Sequence, residues 1–534
     1  MGDFAAAGAP ADSLEALRVR VVELEHALDA KHQTVEDQAA EIRRLTEYLR
    51  LLRHQRFGRT SERVPADQLG LFNEAEALAA TEAGEAPGAE ADVVSVPAHT
   101  RRARGGRRPL PAWLPREEIV HDLAEEQKVC PNDGEALREI GREVSEQLEV
   151  IPAVFRVLRH VRPKYACPRC QSGVAVAPPP PQPIPKSLAS PSLLAHVAVS
   201  KYADALPLYR QATMLERSGI DLSRATLAFW MVRAGELVEP LVNRMGEEIL
   251  ASGFLQCDET PFQVLKEDGK PATSPSYLWV RRGGPEGHPL LLFEYAPSRS
   301  KAVAERLLEG FQGFLQTDGY EGYTEIGARP GVVHVGCWAH ARRRFHEALR
   351  GQGGAKRGSS RSTRTSRAEQ GLAWIAKLYA IERSLAEAAP AERNRVRNEK
   401  ARPLLDKIRA WLAAALPSVP PQSLTGQALG YLDRQWPKLI RYLGDGRIPL
   451  DTNLVENAIR PFAVGRKNWL FADTVGGAQA SANLYSVIQT AKANGLEPFA
   501  YLCHLFAELP KATRVEDYDA LLPHHLDRAR LRAR

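Results

Sequence analysis

The sequence predicts a multidomain α+β protein, and three observations predict it. A seven-residue apolar repeat runs near the N-terminus, a CxxC pair sits at 167 to 170, and helical spacing gives way to strand-like alternation at residue 253. A chain of 534 residues exceeds one ordinary core, so several domains joined by linkers are expected.

Composition narrows the class. The 44% hydrophobic and 25% charged residues describe a soluble globular chain, and no run of eighteen apolar residues marks a membrane span. The start, "MGDFAAAGAPADSLEALRVR", lacks the basic head and apolar centre of a signal peptide, so a cytoplasmic location with no membrane partner is expected. Six cysteines in such a length make no disulfide framework and fit a reducing compartment.

From 12 to 56, Leu14, Val21, Leu28, Val35, Ile42 and Leu49 hold one position of the heptad. Leu17, Leu24, Leu45 and Leu52 hold the position three residues on, with Lys31 and Gln38 intruding. A narrow stripe of this length predicts a coiled coil and self-association into a homo-oligomer. The basic run "LLRHQRFGRTSER" (51 to 63) breaks at Gly58, and 57 to 112 reads as a flexible linker ending in "RRARGGRRPLP", which carries five arginines and no acid. A second tract, "RGQGGAKRGSSRSTRTSR" (350 to 367), carries six basic residues and no acid. Both suit a phosphate backbone, and both equally suit a solvated linker.

Residues 113 to 173 predict a zinc-ribbon-like, DNA-binding domain. Cys167 and Cys170 in "YACPRCQSG" have the knuckle spacing that aims two thiolates at one ion. In "CPNDG" the partner of Cys130 is Asp133 rather than a second cysteine. The set reads either as a Cys3Asp site for structural Zn2+ or as a ribbon without metal. After the spacer "APPPPQPIPK", residues 187 to 250 have helical spacing, and "LERSGIDLSRATLAFW" has the helix, glycine turn and helix of a helix-turn-helix, a pattern also found in plain helical connectors.

From 251 to 475 a catalytic domain is expected. "GFLQCDETPFQVL", "SYLWVRRG" and "PLLLFEYAPS" read as three strands, "SKAVAERLLEGF" as a helix, and "GFLQTDGYEGYT" and "GVVHVGCWAH" as two further strands with a helix between. That is the order of an RNase H-like α/β core. Asp258 is expected to end the first strand and Asp318 the fourth, at one rim of the sheet. Each could also simply initiate a turn. Two close carboxylates repel, so a divalent cation, Mg2+ or Mn2+, is their natural partner. A third carboxylate would complete a site for two ions, and Glu456 in "DTNLVENAIRPFAVGRKNWLF" is the candidate.

Around that glutamate, Asn453 and Arg460 share a helical face with it, the arginine suited to a phosphate or to restraining the acid, the asparagine to a phosphate or a cap. Arg466, Lys467 and Trp469 suit backbone contact and stacking on DNA, although core packing also explains a tryptophan. In "GCWAH", Cys337 and His340 have CxxH spacing at a strand-to-helix junction, with His340 near the catalytic rim or in the core, and with His334 they also read as a second metal cluster. Arg342, Arg343 and Arg344 follow on a helix that meets phosphates or solvent.

Together "RFGRTSE", "SEQLEVIPAVFRV", "KYACPRC", "CDETP", "TDGY", "CWAHARRRF", "LYAIE", "NLVENAIRP" and "GRKNWLF" span nearly the whole chain. In them the sequence resembles the large transposase of bacterial insertion sequences of family sixty-six, a DDE transposase family. The resemblance implies that Asp258, Asp318 and Glu456 are the metal-binding catalytic triad, that a helical insertion (350 to 447) precedes the glutamate, and that C-terminal helices (476 to 534) follow. It also implies small accessory proteins from the same element. Asp133 and the Gly/Ser/Arg tract at 351 to 367 depart from the family pattern. The expected activity is cleavage at the ends of an insertion sequence and strand transfer into target DNA. The competing expectations are a DNA-binding regulator without catalysis and a structure-specific nuclease without strand transfer.

Overall fold

A computed structural model of the chain describes residues 154–166, 174–351 and 365–526, with isolated residues among 19–38, 116–119, 135, 142, 147 and 531. The chain divides into two compact units, 84–179 and the remainder. Cys130, Asp133, Cys167 and Cys170, the 57–112 linker and most of the 350–367 tract lie outside the described residues.

In the smaller unit, strands β1 (Lys164–Ala166) and β2 (Val174–Val176) form an antiparallel hairpin with Ala166 opposite Val174. In sequence the CxxC motif falls between these two strands, outside the described residues. In the larger unit, residues 19–22 and 26–28 are helical and exposed, including Val21 and Leu28 of the apolar repeat.

The main body begins with α1 (Pro191–Tyr202), α2 (Leu208–Arg217) and α3 (Arg224–Ala251). Ser190 and Ser223 cap α1 and α3 by accepting from the backbone N–H three residues on. The turn between α2 and α3 uses Gly219 at φ +79°. The expected helix, turn and helix is thus present, but Leu227, Trp230, Met231 and Ala234 of α3 are buried in the core that the sheet shares.

The sheet consists of β3 (Phe254–Lys266), β4 (Pro275–Gly283), β5 (Leu290–Ala296), β6 (Gly313–Gln316) and β7 (Val332–Val335), in the order β5-β4-β3-β6-β7. The first three form an antiparallel meander, while β6 and β7 add parallel to β3 after the crossover helix α4 (Lys301–Leu307). Two sequence expectations need correction. Asp258 does not end its strand: antiparallel pairing with β4 from Gln256 to Gln263 carries β3 on to Lys266. Between β6 and β7 the expected helix is replaced by two single 3-10 turns, Glu321–Tyr323 and Ile326–Ala328, because Tyr323 and Ile326 are drawn into the core within a short connection.

After β7 comes α5 (Trp338–Gly351), then an insertion of α6 (Arg367–Ser384), α7 (Pro390–Val396), α8 (Arg402–Ala415) and α9 (Leu424–Leu439). A single π turn, Arg397–Ala401, joins α7 to α8. It buries the Arg397 guanidinium, which pairs with Glu382 and donates to the carbonyls of Tyr442 and Asp445. The insertion has a core of its own, with Phe345, Ile375, Leu412 and Leu432 among its buried members.

The chain returns to the sheet through α10 (Asn453–Trp469), β8 (Ala472–Thr474), which pairs with the far end of β3, and then α11 (Val475–Ala493), α12 (Pro498–Glu508) and α13 (Val515–Asp519). Helix α11 covers the open edge of β5. Thr490 Oγ1 accepts from Leu291 N at 2.9 Å and Ser486 Oγ accepts from Phe293 N at 2.8 Å, so two hydroxyls replace a missing neighbouring strand. The boundaries expected at 250 and 475 therefore fall inside one packed body. Among the described residues no helix is long and apolar enough to cross a membrane.

Candidate active site

The register of the sheet brings two acids together. Gln256 of β3 pairs with Gln316, the last residue of β6, so Asp258 within β3 and Asp318 just past the end of β6 each lie two residues beyond that pair. Where β6 ends, Asp318 turns the chain, its Oδ1 accepting from Tyr320 N at 2.8 Å. Asp258 Oδ1 accepts from Glu259 N at 2.9 Å.

Buried amides then fix the third acid. Gln256 Nε2 donates to Gln316 Oε1 at 2.8 Å and to the Asp451 carbonyl at 3.1 Å, while Gln316 Nε2 donates to the Pro449 carbonyl at 2.9 Å. Trp338 N donates to the Leu450 carbonyl at 3.2 Å. The segment leading into α10 is thereby sewn to β3 and β6 and to the start of α5, and Glu456 emerges in the first turn of α10, close enough for its charge to act on Asp258. Further along, Phe462 packs edge-on against Phe262 of β3 at 5.0 Å.

The electrostatics agree with this placement. Burial, then the charges of Glu456, Glu259 and Asp318, holds the Asp258 carboxyl well above the usual carboxylate range. A buried carboxyl whose charge is opposed by neighbouring acids is a place where a divalent cation would relieve the cost, so Asp258 suits an oxygen-seeking metal. Glu456 itself accepts from Thr452 Oγ1 at 2.7 Å, with Arg343 Nη2 3.8 Å from Oε2 and His340 Nδ1 4.0 Å from Oε1.

Other expected residues divide. His340 and Cys337 stand beside Glu456; the Cys337 Sγ accepts from Thr452 N at 3.3 Å and lies 3.1 Å from Thr452 Oγ1, whose one proton goes to Glu456. His334 is apart from them: buried in β7, it shares a hydrogen bond with Thr317 Oγ1, and burial with Lys438 and Arg441 pushes its pKa down to about 3. Among the described residues the cluster able to hold a metal is Cys337, His340 and Glu456, without His334. Asn453 does not cap α10. It is the first helical residue, and its backbone and side-chain N–H groups donate to Asp451. Arg460 is half-buried one turn beyond Glu456. Arg466 is turned inward, donating to Thr260 Oγ1 and the Pro261 carbonyl, and Trp469 packs against Phe262 and Phe462 with Lys201 over its ring. Lys467 and Arg344 are exposed, and Arg342 lies 5.8 Å from the Tyr379 ring.

Several residues at the site carried no expectation. Asp451 is buried and accepts from the Tyr379 hydroxyl at 2.7 Å, linking the insertion to α10. On the other face of β3, Glu259 accepts from Tyr323 at 2.6 Å and pairs with Arg299, which also lies 3.9 Å from Asp318. Strand alternation turns Glu259 away from Asp258, so neighbouring positions in "CDET" give no sign of it. Thr452 could have been found as the residue directly before a helix start.

Comparison with known proteins agrees with this chemistry. A family described as "Transposase IS66 family" matches residues 186–480, and its "zinc-finger binding domain of transposase IS66" matches 127–171. A segment described as "Transposase C of IS166 homeodomain" matches 44–119, across much of the stretch read as linker, and the "IS66 C-terminal element" matches 486–524. Two proteins of Sinorhizobium fredii, printed as "Uncharacterized protein y4jD" and "Uncharacterized protein y4qI", are 33% and 31% identical. The first match covers 78% of this chain and 81% of the relative, and the second covers 92% and 91%. With the family pattern spanning more than half of its length and relatives 33% and 31% identical over most of theirs, the chain belongs to the IS66 transposase family.

Proposed function

We propose that the protein is a DDE transposase that cuts DNA at the ends of an insertion sequence and joins the freed ends to target DNA. The observation that supports this reading is the register that sets Asp258 and Asp318 each two residues past the Gln256–Gln316 pair, with the charge of Glu456 acting on the buried Asp258 carboxyl. The strand order β5-β4-β3-β6-β7, with a central strand antiparallel on one side and parallel on the other, supports an RNase H-like core.

In this reading the three carboxylates hold two divalent cations, Mg2+ or Mn2+, which when bound supply charge neutralisation and an activated hydroxyl at neutral pH. Gln256 and Gln316 keep the acids in register. Thr452 and Arg343 orient Glu456 from two sides, and Arg343 also offers positive charge to a phosphate. Water attacks the phosphodiester at the element's end and the bond to the 3'-oxygen breaks; the free 3'-hydroxyl then attacks a target phosphodiester in line, and the target's own bond to its 3'-oxygen breaks, releasing a target 3'-hydroxyl. No covalent protein intermediate forms. Lys467 and Arg344, both exposed, are available to the DNA backbone, whereas Arg466 and Trp469 serve packing. The ribbon at 113–173 would bind DNA around a Zn2+ held by Cys130, Asp133, Cys167 and Cys170, and the helix at 12–56 would pair with a second copy.

Purified protein incubated with labelled element ends, a target plasmid and Mg2+, in the presence of the element's small accessory proteins, tests this. Joined products that disappear in Asp258→Ala and Glu456→Ala are expected. Cleavage without joining would favour a nuclease, and binding without any metal-dependent reaction would favour a regulator.

A further inference from the structure

We propose that Cys337, His340 and Glu456 form a second metal site, one for a thiophilic divalent cation of the Zn2+ class, which shares Glu456 with the carboxylate site. The inference rests on the reading of Glu456 as a member of the triad.

The Cys337 sulfur, a nitrogen of His340 and a carboxylate oxygen of Glu456 all lie within 4.8 Å of one another. They come from two elements that the fold locks together: Cys337 precedes α5, His340 is in its first turn, and Glu456 is in the first turn of α10. One nitrogen, His340 Nδ1, is buried and has no hydrogen-bond partner among the described residues. It points at Glu456 Oε1 from 4.0 Å, whereas an ordinary charge-assisted bond would close to about 2.7–2.9 Å. A gap of that size between a nitrogen and a carboxylate oxygen, with a thiol alongside, suits an ion between them better than a direct bond.

Glu456 Oε2 lies 3.8 Å from Arg343, while Oε1, which accepts from Thr452 Oγ1 at 2.7 Å, keeps a second lone pair for the cluster. Thr452 N donates to the Cys337 sulfur at 3.3 Å, a bond that favours a thiolate once the thiol has released its proton to solvent on binding metal. The side chains of His340 and Glu456 are 21% and 18% exposed, so the cluster opens to solvent on one side, where a water supplies the fourth position. Bonds to zinc of about 2.0–2.3 Å require the ligands to draw closer, a movement available to the χ torsions of His340 and Glu456.

Ligand chemistry separates the two sites. A thiolate and an imidazole select zinc-class ions, while Mg2+ takes oxygen ligands and so prefers the aspartates. Zinc bound here draws Glu456 Oε1 toward Cys337 and His340, and so competes with the catalytic pair for its third carboxylate. The cluster is thus an inhibitory site, through which thiophilic metal restrains an enzyme that runs on Mg2+.

The test uses the full chain carrying Cys167→Ser and Cys170→Ser, which takes away the ribbon's thiolates. After dialysis against Zn2+ and metal analysis, this protein is expected to hold about one more zinc ion per chain than the same protein with Cys337→Ser or His340→Gln. Its Co2+ form should show a thiolate-to-cobalt absorption band that Cys337→Ser lacks. Should Cys337→Ser fail to fold, as its circular dichroism would show, the half-buried His340→Gln still decides the count. Equal zinc content in all variants overturns the site. In the Mg2+ cleavage reaction, the zinc concentration for half-inhibition should rise by about tenfold or more in His340→Gln. Asp258→Asn keeps the two readings apart: it should abolish Mg2+-dependent cleavage and leave the zinc count unchanged. Cleavage that survives in it sinks the triad and not the zinc site.

Discussion

Asp258 illustrates what one side chain reports about its surroundings. Its carboxyl prefers to keep a proton because burial and Glu456, Glu259 and Asp318 disfavour the charge. Between its ordinary value of 3.8 and the raised value in the fold, the folded chain holds more protons than the unfolded one, so metal-free stability falls as pH climbs through that window. Asp258→Asn should therefore raise the melting temperature in chelator at pH 7, an advantage that vanishes below about pH 3.8. The same variant should lose the stabilisation given by Mg2+ and lower cleavage on the order of 10²–10³-fold or more. Calorimetry with and without Mg2+ checks both, and an unchanged or lower melting temperature in chelator would contradict the carboxylate cluster. Tyr379 tests the outer support. With Tyr379→Phe, Asp451 loses a 2.7 Å hydrogen bond, and cleavage should fall about 10–100-fold while the melting curve moves little. The three acids stood out in the sequence because each lies in a short motif, although Asp258 proved to lie within its strand rather than at its end. Asp451, Tyr379, Glu259 and Arg299 did not, since their roles depend on partners tens of residues away.

At the scale of elements, the edge of β5 shows how helix and sheet depend on each other. Thr490 and Ser486 serve backbone groups that no strand reaches, and both hydroxyls are buried. Thr490→Val keeps the shape but leaves the Leu291 N–H without its acceptor, so a loss of about 1–3 kcal/mol in denaturant unfolding is expected. A loss below about 0.5 kcal/mol would mean that water enters the edge. The strands themselves were legible from alternation and turn residues. The reach of β3 past Asp258 was not, because pairing with β4, rather than anything local in "CDETP", sustains it. Nor was the replacement of a helix by two 3-10 turns, which burial of Tyr323 and Ile326 dictates.

For the whole molecule, the long excursion between β7 and α10 is the main organising fact. Its own hydrophobic core lets it stand beside the sheet, and Tyr379 and the 449–451 segment carry its influence to the acids. The helical character of the insertion was readable from spacing, but its docking was not, because buried amides such as Gln256 and Gln316 give no periodic signal. At the other end of the chain, Val21 and Leu28 are exposed at 52% and 58%, an apolar seam that a second copy would cover. Removal of residues 12–56 should convert an oligomer into a monomer in sedimentation while leaving the melting of the 180–526 body unchanged. A full-length chain that sediments as a monomer would remove the coiled coil from the account.

Helix α10 behaves as a beam pinned at both supports. Asp451 grips its first residue, and Arg466 near its far end is anchored to Thr260 and Pro261 of β3. A beam so held cannot slide to take up slack. Glu456→Asp withdraws the carboxylate by about 1.5 Å, the length of one carbon–carbon bond, and the helix has no travel with which to return it. The aspartate variant should therefore be as inactive in cleavage as Glu456→Ala, even though it keeps the charge. Activity regained without further change would show that one of the two supports yields.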